Sequence, residues 1–215
     1  MSLASDRDLL AFEPDLFRDA GWSGQRLVSG TCTISGTTLT LTAHDVNFDD
    51  AGVTTGHVAL VDGVPYEIIA VPTPTTATVS RPRASTADPV IAPSPVTGKP
   101  VTVVTLRPQI AITEHQVLRM LGIEPSAAPG PSVLSEASIT NPGALNRVVC
   151  LGALHLVFAA AAALTPPESP HWVRAELYRG RFIRERQSAA ALIDTDGDGI
   201  PDATRRLNVM QLIRS

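Results

Sequence analysis

The chain has 215 residues, 44% of them hydrophobic and 4% aromatic, with a formal net charge of −4. That is enough apolar material for one domain, or for one domain carrying an insertion. The acidic balance gives no electrostatic case for wrapping nucleic acid. The scarcity of aromatics predicts thin, Ala-lined helix packing between Pro-punctuated loops.

Residues 5–20 read as a short helix, capped by Ser5 or Asp6 and carrying Leu9, Leu10, Phe12, Leu16 and Phe17 near helical spacing. Pro14 inside it predicts a break or restart. The first residues lack a basic region and an apolar run, so no secretory signal is expected. From Gly21 the period changes to two. Residues 31–34 and 38–42 alternate around Ser35 and Gly36, and residues 56–61 and 66–71 flank Asp62 and Gly63, a strong hairpin signal. Residues 76–80 and 101–106 add two more strands. Short strands divided by Gly and Pro turns predict a small antiparallel β-barrel or β-sandwich, with the Pro-rich stretch 83–100 a mobile loop.

After Pro108 helical patterning returns. Residues 109–121 form a helix closed by Gly122. A Pro/Ala/Gly linker follows at 125–131, then a short helix or turn at 133–139. Thr140 or Asn141 caps a helix with Pro142 in its first turn. That helix runs to about Leu164 and is apolar on nearly all sides. Its 148–164 stretch is the one membrane candidate, but it is short, Ala-heavy and interrupted by His155, which predicts a buried bundle helix instead. The last helix, 171–190, spreads Trp172, Val173, Leu177, Tyr178, Phe182 and Ile183 over several faces with Arg residues between them. A helix that is apolar on several faces in so small a chain predicts that a neighbouring subunit covers part of it. Trp172, Tyr178 and Phe182 are the apolar interface candidates. Arg174, Arg181 and Arg184 share a face, as do Arg179 and Arg186. They read equally as contacts to an acidic partner or as solvated charge paired with Glu176 and Glu185.

The chemical signals are few. Asp194, Asp196 and Asp198 occupy the first, third and fifth positions of a calcium-loop pattern, with Gly199 sixth and Asp202 ninth. The twelfth position, which needs a bidentate Glu, is Arg205, so the loop is incomplete. It predicts weak calcium at most, or a turn that only redirects the chain. None of the five histidines, His44, His57, His115, His155 and His171, is spaced with a second His or Cys as zinc requires. No nucleophile elbow or phosphate-cradling glycine motif appears, so no catalytic residues are assigned and no enzyme is expected. Cys32 and Cys150 read as packing residues in a reducing compartment.

Three stretches together carry a family resemblance: the early helix Leu9-Leu10-Ala11-Phe12-Glu13-Pro14-Asp15-Leu16-Phe17, the late Trp172-Val173-Arg174-Ala175-Glu176-Leu177-Tyr178-Arg179, and the acidic turn 192–202 followed by Arg205, Arg206 and an extended tail. The chain resembles the head-to-tail adaptor (connector, or head-completion) proteins of long-tailed bacteriophages and gene transfer agents. The resemblance covers the helical parts, 5–20 and 108–215; the β region 21–106, read from its strand pattern, departs from the family's minimal all-helical form, and the two together make the chain α+β. Residues 1–20 and 107–202 would form a connector-like helical bundle, 21–106 an inserted β domain and 203–215 an extended docking tail. The resemblance implies a structural virion protein of the neck, assembled in the host cytoplasm and away from membranes. The protein would form a homo-oligomeric, dodecameric ring on the portal protein, extend the DNA channel without binding the genome specifically, and receive a stopper or tail-completion protein. Arg205, Arg206, Leu207, Val209, Met210, Leu212, Ile213 and Arg214 would make the portal contact. The rival reading is a calcium-dependent surface or extracellular binding module, which would call for an export signal or disulfides.

Overall fold

The computed structural model describes residues 2–125, 134–166 and 168–208. Among them the chain is α+β, with five α-helices, a closed six-stranded antiparallel barrel and a separate two-stranded hairpin. It divides into two units, Ser5–Pro108 and Met1–Ala4 with Gln109–Ser215.

The first unit opens with α1 (Asp6–Phe12) and α2 (Leu16–Asp19), separated at Pro14 as the sequence predicts. The Asp8 carboxylate accepts from the Ser5 amide at 2.9 Å and from its hydroxyl at 2.8 Å, closing the first turn of α1. The barrel strands are β1 (Gln25–Ser35), β2 (Thr38–His44), β3 (Val58–Val61), β4 (Val64–Thr73), β5 (Thr76–Ser80) and β6 (Val96–Thr105), in the order β1-β2-β5-β4-β3-β6 with β6 closing on β1. Period-two alternation fills the interior with Val28, Cys32, Ile34, Leu39, Ile68, Val79, Val101 and Val103, while Thr38, Thr40 and Thr42 face outward. Closure removes the free sheet edges that a sandwich would leave.

One turn carries the expected chemistry. Asp62 and Gly63 both have positive φ, 51° and 80°, which is what a two-residue hairpin twisted with its strands requires. Gly30 sits beside the register shift between β1 and β2, where an added Cβ would lie 2.0 Å from the Ala43 carbonyl oxygen. Only glycine lets the strands approach so closely there.

The unit is fastened by a buried ion triad. Glu67 on β4 is almost wholly buried. One oxygen of its carboxylate accepts from Arg7 Nε on α1 at 2.8 Å, and the other accepts from Arg83 Nε. Arg7 also donates to the Arg83 carbonyl at 2.7 Å, and Arg83 donates to the carbonyls of Thr86 and Asp88. Asp6, also buried, accepts from the Leu106 amide at 2.8 Å, and desolvation raises its carboxyl above the ordinary value. The segment after β5, expected as a mobile loop over 83–100, is therefore pinned through Arg83. It is also held by the Ser80 hydroxyl, which accepts from the Ile91 amide at 2.9 Å, and it passes into β6 at Val96.

The expected division needs correction. Residues 5–20 belong to the barrel's unit, not to a bundle with the later helices, and 21–106 is not an insertion between two parts of one bundle. The apolar side chains Leu9, Leu10, Leu16 and Phe17 are buried, α2 packs against β3 and β4, and the polar groups of α1 are satisfied by the barrel. Only Met1–Ala4 return to the second unit. There Glu114 accepts from the amides of Leu3 and Ala4, at 2.6 and 3.1 Å.

In the second unit α3 (Arg107–Met120, whose first turn spans the boundary) ends at Gly122 with φ 70°, as expected. α4 (Gly143–Ala163) is long and apolar enough to cross a membrane, but 61% of that stretch is buried inside the unit, chiefly against α5 (Pro170–Ser188). His155 Nδ1 lies 3.1 Å from the Ala175 carbonyl, a satisfied core histidine. Gly152 marks the closest approach of the helices. A Cβ there would lie 2.5 Å from Thr113 Cγ2 on α3 and 3.0 Å from Phe182 on α5. Cys150 is buried in this unit and Cys32 in the barrel; both are free, and burial pushes the Cys32 thiol up to about 11.

Glu67→Ala leaves Arg7 and Arg83 buried without their shared counter-charge. The expected loss is about 3–5 kcal/mol, read by urea unfolding of a fragment spanning 5–108, which should unfold cooperatively on its own. A fragment with no cooperative transition would show that the first unit depends on the second.

Candidate functional site

The last helix does not run on to Ala190. It stops at Ser188, and the chain turns into β7 (Ala190–Ile193), the acidic loop 194–202 and β8 (Ala203–Arg206). Alternation explains the strand. Ala191 and Ile193 are buried while Ala190 and Leu192 are half-buried. Asn141, expected to cap α4, serves the hairpin instead. Its Oδ1 accepts from the Leu192 amide at 2.7 Å, and its Nδ2 donates to the Ala190 carbonyl at 3.3 Å. Ile139 bridges Ile193, so the segment before α4 runs beside β7 like a short third strand.

The acidic loop is built around Asp194. Its two oxygens accept from the amides of Gly197 and Gly199, at 2.7 and 2.8 Å. Both glycines have positive φ, 86° and 83°, so the double-glycine turn is a backbone requirement. Asp202 accepts from the Thr195 amide and hydroxyl, both at 2.8 Å, and closes the loop. Asp194, Asp196 and Asp202 can bring one oxygen each within 4.8 Å of one another. Asp198, expected as a further ligand, is outside that group, and its carboxylate accepts from the Ile200 amide at 2.7 Å. The amides of Gly197 and Gly199 hold the Asp194 carboxyl below the usual range, and Thr195 does the same for Asp202. At Asp196 the Asp198 amide pulls downward, but desolvation and the charges of Asp198, Asp202 and Asp194 outweigh it and the carboxyl is raised. Asp194, Asp196 and Asp202 are placed where they could hold a metal ion, and hydrogen bonds within the loop close the turn.

The segment expected from the sequence as an extended docking tail starts as part of the fold. Arg205 pairs with Ala191 in the hairpin and donates from Nη1 to the Leu121 carbonyl, capping the C-terminus of α3. Gly122 leaves room for it, since a Cβ there would lie 2.9 Å from that nitrogen. Leu207 is buried within the unit. Arg205 and Leu207 are therefore parts of the fold rather than of a free arm, whereas Arg206 is exposed. Val209, Met210, Leu212, Ile213 and Arg214 lie outside the described residues.

The interface residues divide in the same way. Tyr178 and Phe182 are buried inside their own unit, where Tyr178 stacks on Phe158 with ring centroids 5.7 Å apart, so neither is free for a partner. Arg174 lies 5.4 Å over the Phe158 ring and Arg181 5.5 Å over that of Tyr178, covering aromatic surface rather than forming a free cationic face. Arg184 is exposed. Trp172 is exposed too, and with it Val173, Leu177 and Ile183, at 38 to 64%. Val173 and Leu177 are one turn apart, and Gly180 and Arg184 continue their row. Trp172, Glu176 and Ile183 form the row beside it.

A feature that sequence reading missed is a groove of about 1600 Å3 between the C-terminal half of α3, the end of α5 and β8, lined among others by His115, Arg119, Arg186, Arg205 and Arg206. These arginines are scattered along the sequence, and no spacing rule collects them. No known protein family, curated protein or solved structure matches this chain.

The acidic loop should bind calcium no more tightly than about the millimolar range of weak extracellular modules, as read by calorimetry; a micromolar site would restore the cation-binding reading. The pH dependence has a definite sign. Asp194 and Asp202 are depressed, so their stabilisation is present above about 3.9, the unfolded value, and is lost as pH falls through the folded values. Asp194→Ala should lower Tm at pH 7, and the gap should close in acid. Asp196 is raised, so its ionised form costs stability at neutral pH, and Asp196→Asn should not lower Tm there.

Proposed function

We propose that this chain is a structural assembly subunit rather than an enzyme: a head-to-tail adaptor that forms a homo-oligomeric ring on a phage-type portal, lengthens the DNA channel and presents a platform to a stopper or tail protein. The observation that carries this reading is the outward face of α5. Trp172, Val173, Leu177 and Ile183 are all exposed on α5, left uncovered by the described residues. Burying a side chain of this size is worth about 1.5–3 kcal/mol, so four exposed together favour a partner. Gly180, in the same row, meets nothing within 4 Å of an added Cβ, so no contact of its own chain demands a glycine there. The net charge of −4 suits a wall along which DNA passes without being gripped.

The alternative, a calcium-dependent binding module, rests on the clustering of Asp194, Asp196 and Asp202. It is the weaker reading, because amide and hydroxyl donors already occupy Asp194 and Asp202.

Light scattering of the purified chain mixed with the portal protein of the same genome should show a large stoichiometric complex. Val173→Ser with Leu177→Ser should weaken it by tenfold or more, the equivalent of about 1.4 kcal/mol per decade, without lowering the chain's own Tm. A chain that stays monomeric and ignores the portal would overturn the adaptor reading.

A further inference from the structure

The groove at the base of the β7–β8 hairpin has no part in the reading above. Arg119, Arg186, Arg205 and Arg206 line it with His115, and among the described residues no Asp or Glu does. Arg119 makes one exposed pair with Glu124, outside the lining, at 3.3 Å, and such pairs bind weakly. Arg205 keeps its charge while capping α3. Arg186 lies over the Phe182 ring, and its Nε is buried with no acceptor among the described residues. Four guanidinium groups around a cavity with no carboxylate in its wall make a receptor for an anionic group.

The opposite end of the same hairpin carries that charge. Residues 194–202 include Asp194, Asp196, Asp198 and Asp202 and no Lys or Arg. Each strand has four residues, so the ladder holds the tip and the base of the hairpin about 13 Å apart. The tip cannot reach its own groove without breaking the pairing of Ala191 with Arg205 and of Ile193 with Ala203.

We propose that the groove receives the acidic hairpin tip of a neighbouring copy of this chain, head to tail. The inference rests on the ring reading and deepens it by naming the contact between subunits. The two surfaces differ, so the contact is heterologous, and repetition closes it into a ring or extends it as a filament. Asp194 and Asp202 hold the shape of the tip, and Asp196 and Asp198 present charge to the exposed Arg119 and Arg206.

The test is a charge swap in the full chain, read by sedimentation velocity. One variant reverses the groove (Arg119→Glu with Arg206→Glu), and the other reverses the tip (Asp196→Lys with Asp198→Lys). Each variant alone should need a concentration at least about tenfold higher than wild type to assemble. An equal mixture should assemble at wild-type concentration, because each groove then meets a tip of opposite charge. Added salt should weaken the wild-type assembly. Should a reversed variant fail to fold by circular dichroism, Arg119→Gln with Arg206→Gln and Asp196→Asn with Asp198→Asn carry the same expectation of weakened assembly. If wild type assembles and the variants assemble equally well, or if the mixture does no better than its components, this contact is wrong while the ring reading stands. If wild type is monomeric with and without the portal, both fall.

Discussion

The first unit depends on a single buried carboxylate. Glu67 sits inside the unit with an arginine on each oxygen, and those arginines come from the helix before the barrel and the segment after β5. Burying three charges costs several kcal/mol per ion, so the triad does not stabilise the fold simply by existing. Its effect is to exclude alternatives. With Glu67 in place, α1 cannot lift away without leaving one buried Glu67 oxygen without its Arg7 donor, and residues 83–88 cannot loosen without doing the same to the other oxygen. The extra bonds from Arg7 to the Arg83 carbonyl, and from Arg83 to the carbonyls of Thr86 and Asp88, satisfy the remaining donors. They convert a Pro-rich stretch into a fixed wall.

The second unit is governed by close packing instead. Gly152 lets α3, α4 and α5 meet, and Phe158, Tyr178 and Phe182 fill the space beside that crossing. This uses up the inner face of α5 and forces its remaining apolar residues outward. Asn141 and Arg205 then tie the hairpin to the helices, one through the edge of β7 and the other through the end of α3. The hairpin consequently projects its acidic loop from a rigid base.

Local signals in the sequence located part of every barrel strand, though they missed the first half of β1 and, within the expected 83–100 loop, the first half of β6. Alternating threonines in β2, Asp62 with Gly63, the break at Pro14 and the stop at Gly122 are all decided within a few residues, and periodicity reads them. What the sequence hid is long-range. Arg7 and Glu67 are sixty positions apart, and Glu114 meets Leu3 from more than a hundred away. Neither pairing leaves a local trace, so the early helix was assigned to the wrong unit. The Ala-rich end of α5 misled in another way. Residues 189–191 suit a helix by propensity, yet Asn141 and Thr204 supply partners that make Leu192 a strand residue. Tyr178 and Phe182 looked available to a neighbour because helical geometry alone does not say which face the rest of the chain covers. For the acidic loop, the missing twelfth ligand was visible, but not the hydrogen bonds by which Gly197, Gly199 and Thr195 close the turn onto Asp194 and Asp202.

The proposed ring assigns different work to the two kinds of surface on the second unit. An apolar row such as Val173 and Leu177 provides affinity but little register, because neighbouring positions along a helix are nearly equivalent partners. Charges at fixed separation provide register and encounter rate but modest net affinity. A subunit that must add to a ring in one orientation needs both. Placing the acidic tip and the basic groove at opposite ends of one rigid hairpin makes the contact directional. Two copies brought tip to tip repel, as do two brought groove to groove, and only the head-to-tail pairing neutralises both.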